Sequence, residues 1–293
     1  MTRLHVVSPG FQTTVQDLGR FGYAHFGVSP SGAADPLAFR AANLLVGNAE
    51  NAPALEITLT GGRFSFDGPA IIALTGAAFA TTIPMWQPVE LRAGDALAID
   101  QALNGARCYL AVRGGFHVPL VMGSASVHLT TGIGGRALRA GDILPIGSAA
   151  VRRPRKPAST PPVFRNPVRL RVTSGPQARW FADDLYRAPY RVREDSNRMG
   201  IRLAGPPLPA PDGVMITEGV PLGAVQAPPD GQPIILFVEH QTTGGYPKPA
   251  NVISADFWRL GQLRPRDQVH FERITLEGAL ALLRDQEQWL LSL

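Results

Sequence analysis

The chain has 293 residues, 45% hydrophobic and 17% charged, with 31 glycines and 27 prolines. That balance excludes a disordered or coiled-coil chain and favours many short strands with frequent turns over a few long helices. The formal charge of +5 comes from 28 basic residues scattered among 23 acids; without a basic stripe interleaved with aromatics, nucleic acid is not an expected partner.

From the N-terminus, Met1 to Gly10 holds no apolar run of signal-peptide length, so the cytoplasm is the default location. The segment 13–48 carries glycines or other small residues every few positions, with Asp17, Arg20, Asp35 and Asn43 as its polar candidates. Asp35 and Pro36 form an N-cap and first-turn pair, Leu37, Ala41, Leu44 and Leu45 keep one apolar face, and Gly47 supplies a stop: a short helix. The uncharged stretch from Gly68 to Val89 is long enough for a bilayer. Pro69, Pro84, Pro88 and Gly76 break it into core strands with turns, so no membrane is expected. The single cysteine, Cys108, has no disulfide partner and reads as a small core residue.

One motif returns three times, as LRAGDALAI at 91–99, LRAGDILPI at 138–146 and LRPRDQVHF at 263–271. Each reads as strand, tight turn, strand, with Asp95, Asp142 and Asp267 placed to accept backbone N–H groups. Residues 152–167, RRPRKPASTPPVFRNP, form a proline-rich linker. The expected organisation is mainly β: two related β-barrel domains, 1–151 and 168–293, with a few short helices. In the second, a weak helix starts after Pro176 and buries Phe181 and Leu185. Thr275 caps a terminal helix whose Leu276, Ala279, Leu280, Leu283 and Leu290 form a stripe against a barrel end.

Several chemical signatures fail. GIGGRA at 132–137 formally fits a dinucleotide fingerprint but runs into strand and turn instead of a helix. GSAS at 123–126 lacks the second glycine of a nucleophile elbow. The six histidines never fall at ligand spacing, so no metal ligand set is apparent. More informative is EHQTTGGYPKPAN, 239–251, which follows the apolar strand PIILFV. Gly244 and Gly245 allow close approach to a ligand, and Thr242, Thr243 and Lys248 suit a carboxylate, carbamate or phosphate oxygen; a tight turn with a capping threonine is the plainer alternative. Arg198, in EDSNRMGIRL at 194–203, is either a fixed guanidinium for an anion or a surface ion pair.

Taken together, TVQDLGRFGYAHFGV, GAADPLAFRAANLLVGN, ALE, LAVRGGF, SNRMGIRL, EGVPLGAVQ and QTTGGYPKPANVI resemble, in order and over nearly the whole chain, the biotin-dependent carboxyltransferase family. That family includes allophanate hydrolase subunit 2, the second carboxyltransferase subdomain of urea carboxylase, and the C subunit of 5-oxoprolinase. The resemblance implies cyclophilin-like barrels and a catalytic cleft shared with a smaller partner, a B subunit or first-subdomain homologue (KipI-like). One branch moves a carboxyl group from carboxybiotin to urea. Another uses ATP without biotin to open 5-oxoproline to glutamate, with an A subunit of LamB/YcsF type completing hydrolysis. A third pairing is a kinase inhibitor and its antagonist.

The chain shows no ATP-grasp region and no Met-Lys biotin attachment motif. The expectation is therefore the C subunit of a cytoplasmic ATP-dependent 5-oxoprolinase acting on a small-molecule amide. ATP is expected through the complex, and biotin only in the alternative of a carboxyltransferase for urea or a related amide. A regulatory antagonist of a kinase-inhibitor partner is the other alternative. Both enzyme readings need fixed donors around an oxygen that gains negative charge. The expected catalytic residues are Arg198, Lys248 and Gln241. Thr242, Thr243, Gly244, Gly245 and Tyr246 are expected to bind substrate, with Asp35 and Asn43 as weaker positioning residues. No general base is evident.

Overall fold

A computed structural model describes residues 2–148, 151–154, 160–209 and 215–293. It divides into two compact units, one of residues 1–20, 31–163 and 288–293, the other of residues 21–30 and 164–287. The contiguous division expected from the sequence is thus modified by two exchanged segments, 21–30 and 288–293. Of the expected linker, residues 155–159 lie outside the described residues, 160–163 group with the first unit and 164–167 with the second.

The first unit has two five-stranded sheets. One runs in the order Ile143–Pro145, Arg3–Ser8, Arg63–Phe66, Ala96–Ala102, Phe79–Thr81; the other in the order Gln12–Gln16, Ala54–Thr58, Arg107–Val112, Ala70–Gly76, Pro88–Leu91. Their pairings are antiparallel. Leu4, Phe64 and Leu97 of the first sheet share one core with Ile57, Leu74 and Leu110 of the second. The strand Arg107–Val112 is buried at every position, because its two faces meet different partners. Cys108, Leu110 and Val112 enter the core between the sheets, while Tyr109 and Ala111 pack against helix α1, Pro36–Leu45, as the two-residue strand period requires. Helix α1 starts as expected: Pro36 occupies its first turn, and Asp35 accepts a hydrogen bond from Ala38 N at 2.9 Å.

The second unit is built on a closed seven-stranded barrel in the order Val168–Ser174, Ala250–Val252, Ala224–Gln226, Ile234–Leu236, Gly200–Ala204, Tyr190–Val192, Gln268–Arg273. Closure comes from the parallel pairing of Val168–Ser174 with Gln268–Arg273. Val168, Leu170 and Val172 point inward with the alternation a half-buried strand shows. All three repeated turns use their carboxylate alike: Asp95, Asp142 and Asp267 accept from the backbone N–H three residues earlier, at 2.7, 2.8 and 2.8 Å.

Two helical expectations need correction. After Pro176 the chain forms two single 3-10 turns, Ala178–Trp180 and Asp184–Tyr186; Ala182, at φ 43°, lies in the left-handed region and stops a continuous helix. Phe181 and Leu185 are nevertheless buried. After a second helix α2, Phe257–Gln262, helix α3 spans Leu276–Leu291, with Thr275 Oγ1 accepting from Gly278 N at 3.1 Å. Its expected apolar stripe is covered unevenly: Leu276 and Leu280 are 63% and 44% exposed, Ala279 and Leu283 are half-buried, and Leu290 is buried. Periodicity fixes which face is apolar but not what covers it.

Candidate active site

The site is assembled at the ends of two neighbouring barrel strands. Gly200–Ala204 pairs with Ile234–Leu236, and the ladder continues past both strand ends: Phe237 N donates to Met199 O at 3.0 Å and Glu239 N to Arg198 O at 2.8 Å. Asn197 Oδ1 accepts from Met199 N at 2.8 Å and tightens the turn. This places Arg198 opposite Glu239, and Arg198 Nε donates to Glu239 Oε1 at 2.5 Å. Both side chains are buried, at 5% and 2% exposure. A buried charge must be paired to be tolerated, so this ion pair fixes the base of the loop that follows.

That loop opens with His240, whose Nδ1 lies 2.6 Å from Gln241 O. A carbonyl only accepts, so Nδ1 carries the proton and the lone pair sits on Nε2. Burial lowers the imidazole below its ordinary value, against the hydrogen bond to Gln241, which raises it. The ring is neutral near pH 7.

Gln241 Nε2 donates to Gln226 Oε1 at 3.2 Å. Gln226, the last residue of Ala224–Gln226, is 1% exposed, and its buried Nε2 has no hydrogen-bond partner among the described residues. Next, Thr243–Gly244 pairs antiparallel with Glu218–Gly219 in a two-stranded ribbon, and Val220 N donates to Thr242 O at 3.1 Å. The loop ends at Lys248, whose N donates to Gln177 Oε1 at 2.9 Å. Its ammonium forms an ion pair with Glu218 and donates to Tyr246 O at 3.4 Å. Hydrogen bonding to Lys248 lowers the Glu218 carboxyl below its ordinary value.

The structure therefore brings Arg198, Gln241, Thr242, Thr243, Gly244, Gly245, Tyr246 and Lys248 onto one strand ladder and the loop that leaves it. Gln241, Thr243 and Tyr246 are exposed, whereas Arg198 and Lys248 are buried and ion-paired. Arg198 in this arrangement braces the loop through Glu239 instead of presenting a guanidinium to solvent. Asp35 and Asn43 belong to the first unit and hold its backbone together. Asp35 caps α1 and its N–H donates to Tyr109 Oη at 2.7 Å; Asn43 Nδ2 donates to Ala52 O at 2.9 Å. Asp17 is likewise structural: it accepts from Ser124 Oγ, Ala125 N and Gly19 N at 2.7, 2.7 and 2.8 Å, and Arg20 donates to Ser126 O.

Sequence reasoning missed Glu239, His240, Gln226, Glu218 and Gln177. Glu218 and Gln226 bound the segment EGVPLGAVQ, so their spacing was visible, but nothing local shows that the ribbon and the barrel wall carry them to the loop.

Other features are less suited to chemistry. Gly132, Gly134 and Gly135 occupy successive turns at positive φ, and the next regular element is the strand Ile143–Pro145, not a helix that could hold a pyrophosphate. An open cleft of about 520 Å³ in the first unit, lined by Thr2, Pro69, Ile71, Glu90, Arg113 and Ser148 among others, contains none of the expected site residues. Among the described residues no group of three or more His, Cys, Asp or Glu side chains could hold a metal ion, and no helix is long and apolar enough to cross a membrane.

Comparison with known proteins adds a family. Residues 26–273 match the model of the carboxyltransferase domain, subdomain A and B. The chain is 41% identical to the C subunit of 5-oxoprolinase from Escherichia coli, covering 98% of this chain and 96% of that protein. It is 33% identical to urea amidolyase of Saccharomyces cerevisiae over 98% of this chain but only 17% of that longer protein. The solved structure of Kluyveromyces lactis urea carboxylase superposes with a TM-score of 0.92 at 31% identity, covering 98% of this chain and 29% of that one.

Proposed function

The chain belongs to the carboxyltransferase subdomain A and B family, and from that premise we propose that it is the C subunit of an ATP-dependent 5-oxoprolinase, which opens 5-oxoproline to glutamate in a complex with separate B and A subunits. The observation that carries this reading is the match to the 5-oxoprolinase C subunit along almost the full length of both chains. The urea enzymes instead contain this chain's counterpart as a small part of a longer polypeptide.

The chemistry follows from the loop. The lactam is an unreactive amide whose oxygen gains negative charge when it is activated and attacked. Donors fixed in advance around that oxygen stabilise the charge without reorganising, and removing one commonly costs a hundredfold or more, about 3 kcal/mol. Gln241 and the carboxamide N–H of Gln226, which has no partner among the described residues, are such donors, and the Lys248 ammonium stands beside them for an anionic group. Thr242, Thr243, Gly244, Gly245 and Tyr246 shape the approach, and Arg198 acts indirectly by holding Glu239 at the loop's base. His240 Nε2 is the basic nitrogen beside the loop.

A second reading, carboxyl transfer from carboxybiotin to urea, is favoured by the close superposition on urea carboxylase. Carboxybiotin would supply the carboxyl group there, and the same Lys248 and Gln226 donors suit a carboxylate. The deciding experiment assembles the purified chain with its B and A partners and measures ATP hydrolysis and glutamate release. Stimulation by 5-oxoproline and not by urea is expected. Stimulation by urea, with biotin carboxylase and biotin carrier present, together with none by 5-oxoproline, would establish the second reading in its place.

A further inference from the structure

Lys248 and Glu218 are unequal partners. The lysine side chain is 3% exposed, the glutamate 44%. The lysine is also fixed from behind: Lys248 N and O bond the side chain and backbone of Gln177 at 2.9 and 3.2 Å. Gly175 packs so closely that a β-carbon there would lie 2.1 Å from Lys248 O. Among the described residues Glu218 is held by its short ribbon pairing to Gly244 and by side-chain hydrogen bonds to Lys248 and Gln177. The cation is thus the immobile half of the pair and the carboxylate the movable half.

That asymmetry decides which ligands can enter. A buried ammonium stripped of its counter-charge is costly, whereas a half-exposed carboxylate that turns away regains water at little cost. An incoming carboxylate replaces Glu218 without leaving Lys248 unpaired; a neutral amide does not. We propose that Glu218 holds the place of the substrate's own carboxylate on Lys248, and that exchange between the two selects amides bearing a carboxylate over neutral ones such as urea. The inference rests on the reading of the 241–248 loop as the substrate site and adds a chemical class to it. 5-Oxoproline has both groups: its carboxylate takes Glu218's place, and its lactam oxygen is left to the other donors of the loop.

The chain has two lysines, Lys156 and Lys248, so the side-chain ammonium signal of Lys248 is identifiable in a lysine ¹⁵N spectrum of the full chain by its loss in Lys248→Arg. The probes, at constant ionic strength, are acetate, 5-oxoproline, and 2-pyrrolidinone, which keeps the lactam but lacks the carboxylate. Acetate and 5-oxoproline should move the Lys248 signal saturably and 2-pyrrolidinone should not. Glu218→Gln, by removing the internal competitor, should tighten carboxylate binding about fivefold. Glu218→Asp keeps the charge but shortens its reach, and should shift binding the same way if the glutamine variant does not fold. Carboxylates that leave the signal unmoved, or bind more weakly to both Glu218 variants, would overturn the exchange. If acetate behaves as expected while the assembled complex turns over no 5-oxoproline, the exchange stands and the 5-oxoprolinase reading fails.

Discussion

The carboxamide of Gln226 lies against Gly244: a β-carbon at residue 244 would sit 2.6 Å from Gln226 Nε2. The glycine is what lets a buried donor face the loop. Because the clashing atom ends a flexible side chain, Gly244→Ala should turn the carboxamide and cost stability only about 1 kcal/mol. Turnover by the assembled complex should fall on the order of a hundredfold. Denaturant unfolding and steady-state kinetics of the same preparation check both; unchanged turnover would remove Gln226 from the site.

Arg198 and Glu239 face each other across the strand ladder with almost no access to water. Arg198→Ala or Glu239→Ala should each destabilise the chain by about 3–5 kcal/mol, since each removes one member of a buried ion pair. Arg198→Met combined with Glu239→Leu should recover most of that loss, as measured by urea unfolding of the single and double variants. A double variant no more stable than the singles would mean that the pair does more than neutralise itself.

In the first unit Tyr109 Oη donates to Glu56 Oε2 at 2.8 Å and accepts from Asp35 N at 2.7 Å, while Glu56 Oε2 also accepts from Ala34 N at 2.8 Å. The hydroxyl thus joins α1's start to the sheet beneath. Tyr109→Phe removes the hydroxyl that accepts from Asp35 N and withdraws one donor from a buried carboxylate, at a cost of about 1–3 kcal/mol. Hydrogen exchange should show earlier opening of Ala34–Ala38 than of the central strands, and equal protection throughout would refute the link.

His240 sets a pH dependence. Its folded pKa is lowered from 6.5 by burial, so the unfolded chain takes up its proton first. Stability should be constant above 6.5 with respect to this group and fall as pH drops from 6.5 through the lowered folded value. Asp67, Asp142, Asp195 and Glu218, lowered chiefly by hydrogen bonds from Arg3, Arg136, Arg193 and Lys248, lose their contributions further into acid. His240→Gln should therefore flatten the stability curve just below 6.5 and leave the strongly acidic limb in place, a difference that thermal unfolding across buffers resolves.

The features legible in the sequence are those whose cause is local. The three Asp-closed turns and the Asp35 cap each need a side chain within three residues of the N–H it accepts from, so spacing alone exposes them. The loop at 239–248 was legible through its unusual density of donors and glycines. Its ion pairs were not: Arg198 meets Glu239 across 41 positions of sequence and Lys248 meets Glu218 across a ribbon, pairings set by barrel register. The exposed face of α3 and the break at Ala182 escaped for the complementary reason. Their apolar spacing is helical, but tertiary cover and one left-handed residue decide what is built.

The barrel closes between its first strand and its last. As Val168–Ser174 finds its parallel partner only in Gln268–Arg273, a nascent chain emerging from the ribosome carries the loop residues into the open well before the wall behind them is complete. Closure over some hundred intervening residues is a late, entropically expensive step. Any truncation upstream of Gln268 would leave a sheet with two bare edges, prone to stick to its neighbours.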